Sequence, residues 1–148
     1  MESLNIKNNC IEFLKIHEDA GMKKGTNLSC GYDVKCLVNT YIAPHNRVLL
    51  NTGLRLKENI SDNIYIQIAS RSSMAMKGID VGAGVIDADY TKEIKVLLCN
   101  NSKEGYTINK GDYMAQLIPI IIARNPVLLN NNIVNSLEER VGGFGSTN

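Results

Sequence analysis

Asn63-Ile64-Tyr65-Ile66-Gln67-Ile68-Ala69 sets Ile64, Ile66 and Ile68 on one face and Tyr65 and Gln67 on the other. A period of two belongs to a half-buried strand, because successive side chains of an extended chain point to opposite sides. Ile94, Val96 and Leu98 repeat the pattern, and Val48 to Leu56 reads as a similar strand. Turn-forming residues separate these runs at Ala43-Pro44-His45-Asn46, Asn59 to Asn63, Asn100 to Gly105 and Asn109-Lys110-Gly111-Asp112. Many short strands at regular spacing predict an all-β subunit, a sandwich or jelly roll. Leu117 to Ala123 is apolar on both faces, so its strand needs covering twice, by its own domain and by a partner subunit, and Pro119 suggests an edge or a bulge. Only Ser72 to Lys77 reads as a short helix, with Ser72 or Ser73 as N-cap and Gly78 as terminator.

The 148 residues suit one domain with a sizeable core. A formal net charge of +1, with charges scattered along the chain, offers no basic stripe for a nucleic acid, and a small ligand fits better. Cys10, Cys30, Cys36 and Cys99 contain no C-x-x-C pair and are spaced too irregularly for a zinc ribbon. Reduced thiols in an intracellular protein, cytoplasmic or nuclear and not secreted, are expected. The apolar stretch from Leu117 to Ala123 falls far short of the ~20 residues of a membrane helix, so no membrane partner is expected.

Two segments could carry chemistry. At Ser70-Arg71-Ser72-Ser73 a strand gives way to the short helix, so free backbone N–H groups, hydroxyls and a guanidinium can converge on an anion; the same residues would also serve as a plain cap beside a surface arginine. Gly82-Ala83-Gly84-Val85-Ile86-Asp87-Ala88-Asp89-Tyr90 combines small residues, two carboxylates and a phenol. Exposed backbone can read a pyrimidine edge, an ionised carboxylate can orient or deprotonate water, and a tyrosine ring can pack against a sugar. By strand alternation Asp87 and Asp89 point the same way, which also describes a solvated acidic hairpin. The glycine-rich end, Arg140 to Asn148, contributes little to a core, yet Arg140 can grip phosphate and Phe144 can stack on a base. Gly31-Tyr32-Asp33 and Gly111-Asp112-Tyr113-Met114-Ala115-Gln116 are weak signals when taken singly.

In this order the five segments resemble the five motifs of the trimeric dUTPase family: Gly31-Tyr32-Asp33, Arg71-Ser72-Ser73, Gly84 to Tyr90, Gly111 to Leu117 and Gly142 to Thr147. The resemblance implies a jelly-roll or distorted β-barrel subunit, a homotrimer, and hydrolysis of dUTP to dUMP and pyrophosphate with Mg²⁺. It implies a β-domain over residues 1–139 and a flexible arm over 140–148 that reaches a neighbouring site. By the same resemblance Asp87 activates the water that attacks the α-phosphorus. Gly84, Val85 and Ile86 read uracil, and Tyr90 packs under the deoxyribose. Arg71, Ser72, Ser73 and Gln116 hold phosphates, and Asp33 positions metal-bound water without ligating Mg²⁺ directly. Arg140, Gly145, Ser146 and Thr147 close over the phosphates while Phe144 stacks on the base.

The chain departs from the family pattern in several places. Arg140 precedes Phe144 by four residues instead of five, Val141 stands where glycine is usual, and Thr91-Lys92 replaces Arg-Gly. Tyr113 and Met114 replace arginine and isoleucine, which removes a positive charge. Two other activities share parts of this pattern. A dCTP deaminase would need a proton-relaying glutamate in the hairpin, and Gly82 to Tyr90 contains none. A regulatory protein would bind dUTP and turn it over weakly or not at all.

Overall fold

The computed structural model describes residues 10–135. The described residues form twelve strands: β1 (Phe13–Lys15), β2 (Met22–Lys24), β3 (Tyr32–Lys35), β4 (Thr40–Ile42), β5 (Arg47–Asn51), β6 (Leu54–Leu56), β7 (Ile64–Ala69), β8 (Ile79–Gly82), β9 (Val85–Ile86), β10 (Lys95–Asn100), β11 (Tyr106–Ile108) and β12 (Tyr113–Ile121). Among the described residues one helix, α1 (Ser72–Ala75), follows β7. The strands pair antiparallel as β1-β6, β5-β10-β8, β11-β4 and a five-stranded sheet β2-β3-β12-β7-β9. This is the all-β subunit with one short helix that the alternation predicts.

The period-two segments bury the faces expected of them. Ile66 and Ile68 of β7 and Val96 and Leu98 of β10 enter one core with Val34, Ile79, Ile94, Ile108, Met114 and Leu117. Asn100 takes an inward position on β10 at 1% exposure, where an unpaired amide would be costly. Its Nδ2 donates to the carbonyls of Ile42 (3.0 Å) and Glu104 (2.8 Å), and its Oδ1 accepts from Ser102 N–H and Oγ–H. The Asn100 to Gly105 turn is thereby fastened to β4.

Val48 to Leu56 is two strands and not one. Gly53 breaks the run with φ of 68°, and a Cβ there would lie 2.6 Å from that of His17. Its N–H is held by Glu93 Oε2 at 2.8 Å. The helix is also shorter than predicted and capped differently. Arg71, extended at φ −80° and ψ 139°, is the N-cap residue and makes no side-chain cap bond, so Ser72 and Ser73 sit in the first turn with exposed side chains. Gly78, at φ 81°, does end the turn that follows α1.

Pro119 lies in a strand flanked on both sides, though β3 pairs only as far as Leu117↔Tyr32 and leaves the proline's other side open. The bulge in β12 falls elsewhere, between Tyr113 and Ala115. Past β12, residues 122–135 form no strand, and Ile121, Val127, Leu128, Leu129, Ile133 and Val134 remain exposed. The predicted boundary between residues 139 and 140 lies outside the described residues. Among the described residues Cys30, Cys36 and Cys99 are free thiols and no helix is long and apolar enough to cross a membrane.

Candidate active site

The five-stranded sheet carries most of the motif residues. Cross-strand partners of an antiparallel ladder share a face, so the register Lys23↔Asp33↔Gln116↔Ala69 draws one row across β2, β3, β12 and β7. Arg71, two extended residues beyond Ala69, reaches back over this row. Its Nε lies 3.3 Å from Asp33 Oδ1, and its Nη1 donates to the Tyr113 carbonyl at 3.0 Å. Gln116 donates through Nε2 to the Ser70 carbonyl at 2.9 Å. Gly31 is buried against the same carboxamide, and a Cβ there would overlap it. Asp33, Arg71 and Gln116 thus form one braced cluster, with the exposed side chains of Ser72 and Ser73 beside it and two N–H groups of the helix start left without intrahelical partners.

Two parts of this cluster are not readable from the motifs. The Ser70 hydroxyl accepts from Val81 N–H at 2.9 Å and ties β8 to the end of β7. The Tyr113 carbonyl, which orients Arg71, is a backbone group whose direction follows from the β12 bulge.

The second constellation is the Gly82 to Tyr90 hairpin. Ala83 (φ 55°) and Gly84 (φ 102°) both adopt positive φ, the signature of a primed turn. Gly84 packs so closely that an added Cβ would stand 2.6 Å from the Ile68 carbonyl oxygen, while Gly84 O accepts from Ile68 N–H at 2.7 Å. Val85 pairs with Gln67 and Ile86 with Ile66, with Val85 exposed and Ile86 buried. The strand ends there, and Tyr90 N–H closes a turn on the Asp87 carbonyl at 3.0 Å. Asp87 and Asp89 therefore do not alternate on a strand. Both nonetheless border one hollow of about 600 Å³ with Asn59, Ile60, Asp62 and Arg124. Asp87 also borders a smaller cavity of about 250 Å³, walled by Gly82 to Ile86, Ile68 and Tyr90. The Tyr90 hydroxyl donates to the Glu93 carbonyl at 2.9 Å, which fixes its ring at the cavity's side.

The two constellations do not meet within one chain. Continuing the β7–β9 register puts Asp87 opposite Tyr65, four residues along β7 from the Ala69 row, or about 13 Å. Asp33 lies three strands across the sheet from β9, a further ~14 Å. Ideal strand spacings thus put roughly 20 Å between Asp87 and the Asp33–Arg71 pair.

Among the described residues no three His, Cys, Asp or Glu side chains converge to hold a metal ion. Asp33 is already engaged by Arg71. These donors fit Mg²⁺ carried by substrate phosphates and touched through water, since that ion keeps several waters and octahedral geometry, and they do not fit an all-protein cage. Arg140, Phe144, Gly145, Ser146 and Thr147 lie outside the described residues.

The profile of the dUTPase family matches residues 19–148. The chain is 41% identical over 128 residues to a probable deoxyuridine 5'-triphosphate nucleotidohydrolase of Schizosaccharomyces pombe, covering 84% of this chain and 87% of that one. It is 38% identical over 128 residues to the deoxyuridine 5'-triphosphate nucleotidohydrolase of Paramecium bursaria Chlorella virus 1, covering 84% and 86%. Its fold resembles that of the Staphylococcus bacteriophage 80alpha dUTPase solved with dUPNHPP, with a TM-score of 0.78 at 22% identity over 95% of this chain and 99% of the other. The EIAV dUTPase superposes with a TM-score of 0.71 at 22% identity, over 84% and 100%.

Proposed function

This chain belongs to the dUTPase family, and from that membership we propose that it hydrolyses dUTP to dUMP and pyrophosphate at sites shared between copies of the chain. Asp87 takes a proton from water as the water oxygen adds to the α-phosphorus. The bond to the oxygen bridging toward the β-phosphorus breaks, and pyrophosphate leaves. Uracil lies against the Gly84 to Ile86 backbone, where cytosine would present a donor in place of an acceptor and the methyl of thymine would meet the tight turn. Tyr90 lies under the sugar and leaves no room for a 2′-hydroxyl. Arg71, Ser72, Ser73 and Gln116 take the phosphates. Bound Mg²⁺, touched by Asp33 through water, would shield phosphate charge.

The observation that carries the shared-site reading is the sheet order and register, which at ideal strand spacings put roughly 20 Å between Asp87 and the Arg71 cluster. Attack requires reacting atoms about 3–3.5 Å apart, and a triphosphate is too short to join both constellations of one subunit. A homotrimer brings the Asp87 hairpin of one copy to the Arg71 cluster of another. The exposed Ile121, Val127, Leu128, Leu129, Ile133 and Val134 supply apolar surface for that assembly. Residues 140–148 act as an arm, with Arg140, Ser146 and Thr147 over the γ-phosphate and Phe144 on uracil, beside a β-domain spanning 1–139. The purified protein incubated with each deoxynucleoside triphosphate and Mg²⁺ should release pyrophosphate from dUTP far faster than from the others. Equal cleavage of all four, ammonia from dCTP, or tight dUTP binding with negligible turnover would overturn this reading.

A further inference from the structure

Three cations gather on one tyrosine ring. Lys23 Nζ stands 4.5 Å from the centroid of Tyr113, Lys35 Nζ 5.9 Å and Arg71 Cζ 5.8 Å. The guanidinium is committed to Asp33 and the Tyr113 carbonyl. Among the described residues, neither lysine nitrogen has a carboxylate within 4.0 Å. Three positive charges face one negative charge, and like charges crowded this closely repel unless an anion joins them.

Their position says which anion. Lys35 pairs with Tyr113, and Lys23 lies in the row with Asp33 and Gln116. Because β12 uses three residues from Tyr113 to Gln116 where β3 uses two from Lys35 to Asp33, the bulge keeps Tyr113 on the face that bears Gln116. Lys23, Lys35, Tyr113, Asp33 and Gln116 therefore share a face, which Arg71 reaches over, and the lysines extend the cluster away from β7 toward the sheet edge at β2. The ring attracts both ammonium groups and keeps each beside the cluster before any ligand arrives.

We propose that Lys23 and Lys35 are substrate-binding residues for the outermost phosphate of the nucleoside triphosphate and for the pyrophosphate product, and that Tyr113 positions them. The idea rests on the assignment of the Arg71 cluster to phosphates. Ammonium groups suit this role as mobile point charges donating to phosphate oxygens, whereas Arg71 is fixed in direction by its two partners. The charge absent from position 113 is returned by two neighbouring strands.

The test is calorimetric titration of the full-length protein with inorganic pyrophosphate and, separately, with dUMP. Lys23→Ala and Lys35→Met should each weaken pyrophosphate about tenfold, the loss expected for one hydrogen bond to a charged group. The double variant should lose more, Lys23→Arg should restore most of the affinity, and dUMP binding should change less than about twofold because its single phosphate lies short of the lysines. Tyr113→Leu keeps both charges and should weaken pyrophosphate more mildly. Lys23 is exposed, so its truncation spares the fold and gives an answer even if Lys35→Met does not fold. Unchanged pyrophosphate affinity in Lys23→Ala, or an equal loss of dUMP affinity, would overturn the proposal. Lysine-dependent pyrophosphate binding in a protein that does not cleave dUTP would refute the enzymatic reading and leave this one standing.

Discussion

Pairing two inactive variants tests the shared site directly. Asp87→Asn removes the carboxylate of the hairpin, and Arg71→Ala removes the guanidinium at the far end of β7. Either change alone cripples every site of a homotrimer. The Arg71 change also strips Asp33, only 17% exposed, of its ion pair and costs about 1–3 kcal/mol. A domain stable by about 5–15 kcal/mol tolerates that loss, and a thermal melt verifies it. With the two variants co-produced in equal amounts under different tags, a site works when its Arg71 comes from an Asp87→Asn chain and its Asp87 from an Arg71→Ala chain. Random assembly gives each condition a chance of one half, so about one quarter of wild-type pyrophosphate release should return over all trimers, and about one third in the mixed trimers alone, each of which holds one working site of three. Were both residues to serve one site within a single chain, no mixed site would hold both. Native mass spectrometry of doubly purified material establishes that both chains are present. No recovery in such material would refute the ~20 Å argument and the shared site with it.

Asp87→Asn by itself should lower kcat at least about a hundredfold while keeping affinity for an unreactive dUTP analogue within a few-fold, and a near-normal rate would remove Asp87 as the base. Ending the chain before Val141 should abolish most hydrolysis yet leave the sedimentation coefficient of the oligomer essentially unchanged; unaltered activity would exclude the arm from the reaction. Gly84→Ala, forced to φ 102° against the Ile68 carbonyl, should cost at least about 1–3 kcal/mol by denaturant melting and abolish selectivity for uracil. Burial raises the Cys36 thiol above its ordinary value of 9.0, against the opposing pull of a backbone hydrogen bond at Val38. The unfolded chain then gives up that proton first, so the contribution of Cys36 is full below about pH 9 and declines as pH rises through the folded value. Wild type should lose stability faster than Cys36→Ala on going from pH 8 to 10, and parallel curves would contradict the assignment.

The strands were legible where one face is buried and the other is not. Ile64 to Ala69 and Val96 to Leu98 need only local alternation, and the turns at Ala43 to Asn46 and Asn109 to Asp112 need only local chemistry. The break at Thr52-Gly53 was not legible, because Gly53 bends where His17 and Ala20, far off in sequence, leave no room for a side chain. The placement of Ser72 and Ser73 within the helix start escaped for a similar reason. Arg71 takes the N-cap position because its side chain is drawn to Asp33 and the Tyr113 carbonyl, which lie on other strands.

The order and chemistry of the segments around Asp33, Arg71, Asp87 and Gln116 by themselves determined the fold class and the family, since residue types and spacing are properties of the linear chain. Register is not such a property. One extra residue in β12 decides that Tyr113 faces the same way as Gln116, and pairing across four strands decides that Lys23 stands in line with Asp33. The length and width of one sheet decide that Asp87 and Arg71 are parted within the subunit. Those outcomes depend on which backbone groups pair across space, and hydrogen bonding between distant strands exists only once the chain has folded.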